Sequence, residues 1–174
     1  GPGRVIALSD DRDGWRKVRR GVPHQDMMHE HLDQPLSKVP DPFGCGHASY
    51  ADHNNLILRQ FLDRFGFDYE FLASSDCYAS GRFDPALKAV LRHYDAIMGV
   101  MLPTLGEERR KTYSPVLPIS TTSGKVLQVA IEIVDAEAGL IAFDDEGNRV
   151  EQSILSGRAK LQWKVDWAMR WVAL

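Results

Sequence analysis

The sequence predicts an α/β protein carrying a small antiparallel β module, and three stretches carry that prediction. Val5-Ile6-Ala7-Leu8 is an uninterrupted apolar run, the habit of a strand covered on both faces in a parallel sheet. Residues 49–101 hold two stretches of helical apolar spacing, with the strand-like Tyr69-Glu70-Phe71-Leu72-Ala73 between them. Beyond Val116, short β-type runs alternate with turn signals rich in glycine and acidic residues.

The 174 residues suffice for one domain, or for one domain with an appended module. A composition of 44% hydrophobic and 26% charged residues is that of a soluble globular protein. A net charge of -3 supplies no global field for nucleic acid or membrane, so contact with a polyanion would need local patches. Two cysteines cannot build a disulfide framework, and no leader or long apolar span is evident, which makes a cytoplasmic protein the expectation. Gly1-Pro2-Gly3 reads as a tag scar. A strand begins directly after it, and the last residues end on Trp171-Val172-Ala173-Leu174 without a cap, so an excised piece of a larger protein is expected.

The first apolar run ends in Asp10, Asp11 and Asp13, placing carboxylates at the carboxyl end of a strand, where open α/β sheets bind ligands. Arg16-Lys17-Val18-Arg19-Arg20 follows as a basic run, either a solvated loop or a phosphate contact. Residues 26–32 suit a short helix, and 35–46, with three prolines and two glycines, suit a loop. From Ser49 a helix is expected, with Leu56, Leu58, Phe61, Leu62 and Phe65 on its apolar face and Gly66 as its C-terminal stop. A second helix, 83–101, would bury Leu87, Val90, Leu91, Tyr94, Ile97, Met98 and Met101. Residues 106–111 read as a charged connector. Strands are expected at 126–134, 140–143 and 150–155, followed by a strand from Ala159 leading into a helix. Trp163, Trp167 and Trp171 recur every four residues there, a stripe expected in the core.

The acidic turn has three readings. Asp11-Arg12-Asp13-Gly14 after an apolar strand resembles the nucleophile loop of haloacid-dehalogenase-type phosphatases, although Trp15 stands where a threonine is usual. The calcium-loop pattern fails for lack of its glycine and terminal glutamate at the required offsets. The third reading is an acidic turn capping the next helix. Cys45, His47, His53 and Cys77 lack the close ligand pairs of structural zinc, so no metal site is expected. No nucleophile elbow, phosphate loop or dinucleotide fingerprint is present.

Six blocks taken in order add a resemblance. Ser9-Asp10-Asp11-Arg12-Asp13-Gly14-Trp15-Arg16-Lys17-Val18, Val39-Pro40-Asp41-Pro42-Phe43-Gly44, residues 61–71, Ser80-Gly81-Arg82-Phe83-Asp84, Met101-Leu102-Pro103-Thr104-Leu105-Gly106 and residues 162–171 together resemble class I lysyl-tRNA synthetases of the archaeal and α-proteobacterial type. The resemblance implies a partial Rossmann sheet with an inserted α+β connective segment that contains the antiparallel module. It divides the chain into the scar at 1–3, a Rossmann strand and active-site turn at 4–34, the helical part of the insertion at 35–115, the β-hairpin module at 116–157 and a return to the Rossmann sheet at 158–174.

By the same resemblance, the parent uses ATP with Mg2+ to activate lysine and charges tRNA(Lys), and it is a cytoplasmic monomer. Asp10, Asp11, Asp13, Trp163 and Trp167 are the implied lysine-binding residues, with Trp163 packing on the aliphatic stem. The basic runs, Arg16, Lys17, Arg19 and Arg20 and then Arg109, Arg110 and Lys111, read from their charge as tRNA phosphate contacts, which also allows the alternative of a non-catalytic tRNA-binding module; Arg19-Arg20 stand where relatives commonly have proline and an acidic residue. No residue is assigned a covalent catalytic role. The family's two nucleotide signatures are absent, so the fragment alone is expected to be inactive. Residues 119–124 also lack the cysteines that resemble a zinc site in archaeal relatives.

Overall fold

The computed structural model describes residues 3–174, so Gly1-Pro2 of the expected scar lies outside the described residues. The chain divides into two compact units, the first running to Cys77 and the second from Tyr78 to Leu174.

In the first unit, β1 (Ile6–Ser9) leads through the acidic turn to α1 (Gln25–Glu30), a 3-10 turn at Leu36–Lys38, α2 (Tyr50–Arg64) and β2 (Glu70–Ala73). β1 and β2 pair in parallel, with Ile6 opposite Glu70 and Ser9 opposite Ala73. Both are half-buried throughout, not covered on both faces as the apolar run predicts. The sheet has two strands among the described residues, so each keeps one edge without a strand partner. The core of this unit is built on Trp15, Met28 and Val39, with Val18, Leu32, Leu36 and Tyr50 packed against them. Trp15 is pinned on both sides: its N–H donates to the Gln34 carbonyl at 2.8 Å and its carbonyl accepts from Asp33 N–H at 2.8 Å.

Ser49 starts α2, because its Oγ accepts from Asp52 N–H at 3.1 Å and donates to the Asp52 carboxylate at 2.8 Å. Gly66 ends it at φ 69°, in the left-handed position that glycine adopts without strain. The expected apolar face of α2 is not buried, since Leu56, Phe61 and Phe65 are 40%, 54% and 63% exposed. α3 (Ser74–Ala79) follows β2 without a loop, and the boundary between the units falls inside it.

The second unit continues with α4 (Asp84–Arg92), α5 (Tyr94–Met101) and α6 (Glu107–Thr112). The single helix expected over 83–101 is broken at His93 (φ −105°, ψ 18°), with no proline or glycine to mark the break. Leu87, Val90 and Leu91 are buried, whereas Tyr94, Ile97, Met98 and Met101 are only half-buried. Residues 107–112 are helical and not a plain connector; acidic Glu107 and Glu108 in the first turn and basic Arg109, Arg110 and Lys111 in the last match the helix dipole.

β3 (Val116–Pro118), β4 (Ile131–Asp135), β5 (Leu140–Asp145), β6 (Asn148–Ser153), β7 (Ala159–Leu161) and α7 (Trp163–Ala173) complete the chain. β4, β5 and β6 form an antiparallel meander. Its second hairpin closes through Glu146 and Gly147, both at positive φ, the geometry a two-residue hairpin loop requires. The strand expected at 126–134 begins only at Ile131, with Val126 held by a lone bridge to Ile119. β3 and β7 pair antiparallel, and all six of their residues are buried. Among the described residues no helix is long and apolar enough to cross a membrane.

Candidate functional site

Parallel β1 and β2 end together at Ser9 and Ala73, and the side chains that follow them converge. A cleft of about 520 Å³ opens there, lined by Asp11, Asp52, Asn55, Arg59, Ser75 and Asp76 among others. Three carboxylates against one guanidinium make it an acidic cleft, suited to a cation. Ser9 Oγ donates to Asn55 Oδ1 at 2.5 Å, tying the end of β1 to α2.

Asp11 is buried in the wall. Its Oδ1 accepts from Ser75 N–H at 2.8 Å, and its Oδ2 accepts from Ser75 Oγ. Burial pushes its carboxyl above the ordinary value; the Ser75 bonds pull the other way, the Asp76 charge raises it further, and the net shift is upward. Both oxygens are engaged, so the phosphatase reading loses its nucleophile. Asp10 and Asp13 close the turn, with Asp13 N–H donating to the Asp10 carbonyl at 2.9 Å, and neither lines the cleft. Asp52, Asn55, Arg59, Ser75 and Asp76 were not expected from the sequence. The signal for the last two was the Ser74-Ser75-Asp76 run directly after a strand, the same pattern that singled out Asp10 and Asp11.

Trp163, Trp167 and Trp171 do share a face of α7, but it is the exposed face, at 59%, 47% and 82%. The expected core stripe is thereby corrected: the buried side of α7 carries Val165, Asp166 and Met169. A polar clamp that the sequence reading missed sets this orientation. The Tyr78 hydroxyl donates to Asp166 Oδ1 at 2.5 Å and accepts from Leu161 N–H at 2.9 Å, joining β7 to α7, and Arg170 pairs with the same carboxylate. A lone aspartate between two tryptophans of an apolar helix was the available signal. Trp163 follows β7, which pairs with β3.

Of the implied tRNA contacts, Lys17, Arg19 and Arg20 are exposed, and Arg16 pairs with Asp33 at 2.6 Å. On exposed α6, Lys111 pairs with Glu108 at 2.9 Å, while Arg110 Nε donates to the Leu105 carbonyl at 2.7 Å. Elsewhere in the first unit, ligand atoms of Asp41, Cys45 and His53 lie within 4.8 Å of one another. Burial pushes the Asp41 carboxyl up, but the Phe43 N–H bond and the His53 charge outweigh it and leave the carboxyl below the ordinary value.

A family model described as tRNA synthetases class I (K) matches residues 2–174. The chain belongs to the class I lysyl-tRNA synthetase family. A Rickettsia akari protein named lysine-tRNA ligase is 51% identical across 99% of this chain. Proteins of the same name from Rickettsia felis and Rickettsia prowazekii are 52% and 51% identical across 98% and 99% of it. The chain spans 33% of the length of each of these synthetases.

Proposed function

We propose that this chain is part of a lysine-tRNA ligase, contributing lysine-binding groups and the tRNA-facing insertion of an enzyme that activates lysine with ATP and transfers it to tRNA(Lys). The observation that carries the reading is the match to the lysine-type synthetases along residues 2–174. The acidic cleft at the ends of parallel β1 and β2 supports it, because an ammonium side chain is drawn to such a field.

In this reading residues 4–34 and 158–174 belong to a Rossmann sheet, 35–115 and 116–157 to the insertion. Asp10, Asp11, Asp13, Trp163 and Trp167 are the lysine-binding residues. Asp11 acts as a fixed charge held by Ser75, and Trp163, exposed on α7, offers a ring face to the lysine methylenes and ammonium. Arg16, Lys17, Arg19, Arg20, Arg109, Arg110 and Lys111 supply phosphate contacts for tRNA. The lysine carboxylate attacks the α-phosphorus of ATP and expels pyrophosphate; a ribose hydroxyl of the tRNA then displaces AMP. This chemistry draws on positioning and charge stabilisation more than on a covalent protein nucleophile. The carboxylates of the acidic turn do not fit a Mg2+ site, since Asp11 is engaged by Ser75 and the described cluster of converging donors lies elsewhere. The parent is proposed to be a cytoplasmic monomer.

Lysine-dependent ATP-pyrophosphate exchange by the full-length protein tests the reading. Exchange with lysine is expected, and Trp163→Ala should raise the lysine KM about tenfold, roughly 1.4 kcal/mol of binding. A folded protein that activates glutamate, or no amino acid, overturns the function; an unchanged KM overturns the role of Trp163.

A further inference from the structure

The Tyr78 hydroxyl makes two bonds at the entry to α7, and Trp163 lies between them. Tyr78 is 1% exposed and its ring meets that of Phe83 edge-on, with centroids 5.1 Å apart, so its oxygen is held in place. That oxygen accepts from Leu161 N–H at 2.9 Å and donates to Asp166 Oδ1 at 2.5 Å. The first bond fixes the backbone two residues before Trp163, and Gln162 N–H, donating to the Pro115 carbonyl at 2.9 Å, fixes the residue between. The second bond holds the first turn of α7 just after Trp163. Arg170, one turn further on, pairs with the same carboxylate.

Apolar contacts alone leave the rotation of α7 loosely set on one side. A groove of about 490 Å³ opens between α7 and the α4–α5 pair, lined by Ala89, Ile97 and Met101 on one wall and by Val165, Ala168 and Val172 on the other. A helix packed along its whole length is fixed by its neighbours, whereas one that faces an open groove can turn toward it. With an outer radius of about 5–6 Å, a rotation of about 20° carries a side-chain tip about 2 Å. A binding group must be held to about 0.5 Å, so such a turn matters to an indole that meets a ligand. The bond from Tyr78 resists it, because a hydrogen bond to a carboxylate is among the stronger ones and both partners are buried.

We propose that Tyr78 is a positioning residue for lysine activation: it touches no substrate and acts through Trp163, holding α7 in the rotation that presents this indole to the lysine side chain. The inference rests on the reading of Trp163 as a lysine-binding group and adds the residue that aims it. Because Trp163 is assigned to lysine and not to ATP, loss of the hydroxyl falls on one substrate.

The test uses the full-length protein in ATP-pyrophosphate exchange, with lysine and ATP each varied. Tyr78→Phe keeps the ring against Phe83 and removes only the hydroxyl. It should raise the lysine KM about two- to tenfold while the ATP KM and the kcat at saturating lysine stay within about twofold, the pattern of a lost contribution to ground-state binding. Asp166→Ala breaks the same bond from the other end and should show the same split; circular-dichroism spectra check the fold of both variants. The double variant with Trp163→Ala should match Trp163→Ala alone within about twofold, since a group that acts through the indole has nothing to aim once the indole is gone. Equal losses for lysine, ATP and kcat, or a Tyr78→Phe effect that persists undiminished beside Trp163→Ala, overturn the proposal and leave Tyr78 a purely structural residue. An unchanged lysine KM in Tyr78→Phe overturns it as well, and if Trp163→Ala still raises that KM the role of Trp163 stands. A wild type that does not activate lysine, or a Trp163→Ala variant without effect, removes the lysine reading itself.

Discussion

Helices α4 and α7 both carry large apolar residues at helical spacing, yet they are held in opposite ways. α4 turns its stripe inward, burying Leu87, Val90 and Leu91. α7 turns its tryptophans outward and is anchored by a hydroxyl, a carboxylate and a guanidinium: Tyr78, Asp166 and Arg170. Helical spacing states which residues share a face, and the partner decides which face is buried. For α7 the buried face joins Val165 and Met169 to a hydrogen-bonded carboxylate, and the indoles stay outside. Tryptophan carries a large apolar area, so an exposed row of it marks a surface available to a ligand or to other protein.

The largest expected effect tests the apolar lock. Leu87→Ala removes a fully buried side chain and should cost about 2–5 kcal/mol in urea denaturation, whereas Trp171→Ala, at an 82% exposed position, should stay within about 0.5 kcal/mol. Equal losses would break the contrast.

A smaller effect tests the polar lock. Tyr78→Phe keeps the ring but leaves Asp166 and Leu161 N–H each without the hydroxyl, and should cost about 1–3 kcal/mol. Tryptophan fluorescence should report altered surroundings of α7. A loss below about 0.5 kcal/mol would mean the clamp does not hold the helix.

The smallest effect concerns Asp11, the polar lock of the first unit. Its pKa is raised in the folded state, so its contribution to stability is fully present below the unfolded value and is lost as pH rises through the folded one. Wild type should therefore lose stability relative to Asp11→Asn as pH climbs from about 4, in denaturant titrations at a series of pH values. A difference that grows in the opposite direction would place the folded pKa below the unfolded one.

Much of the local structure was legible. β1, β2, α1, α2 with its Gly66 stop, and the β4-β5-β6 meander lie close to where apolar spacing and turn residues put them. The break at His93 was not legible, because nothing around it disfavours helix locally. Nor was the cleft: its lining comes mainly from the ends of β1 and β2 and from α2, segments separated by some forty to sixty residues, and of that lining only Asp11 was expected to bind the ligand. The six ordered blocks identified the lysine-type synthetases before any geometry was known, and the match over residues 2–174 bears this out.

The sequence by itself determined family, element types and turn positions, since these follow from local spacing, glycine conformation and the order of motifs. Tertiary structure alone decided that Asp11 faces Ser75, that Asp166 faces Tyr78, and that the tryptophans of α7 look outward. The physical reason is that a buried charge must find its hydrogen bonds wherever the chain brings them, and that partner can lie far away in sequence.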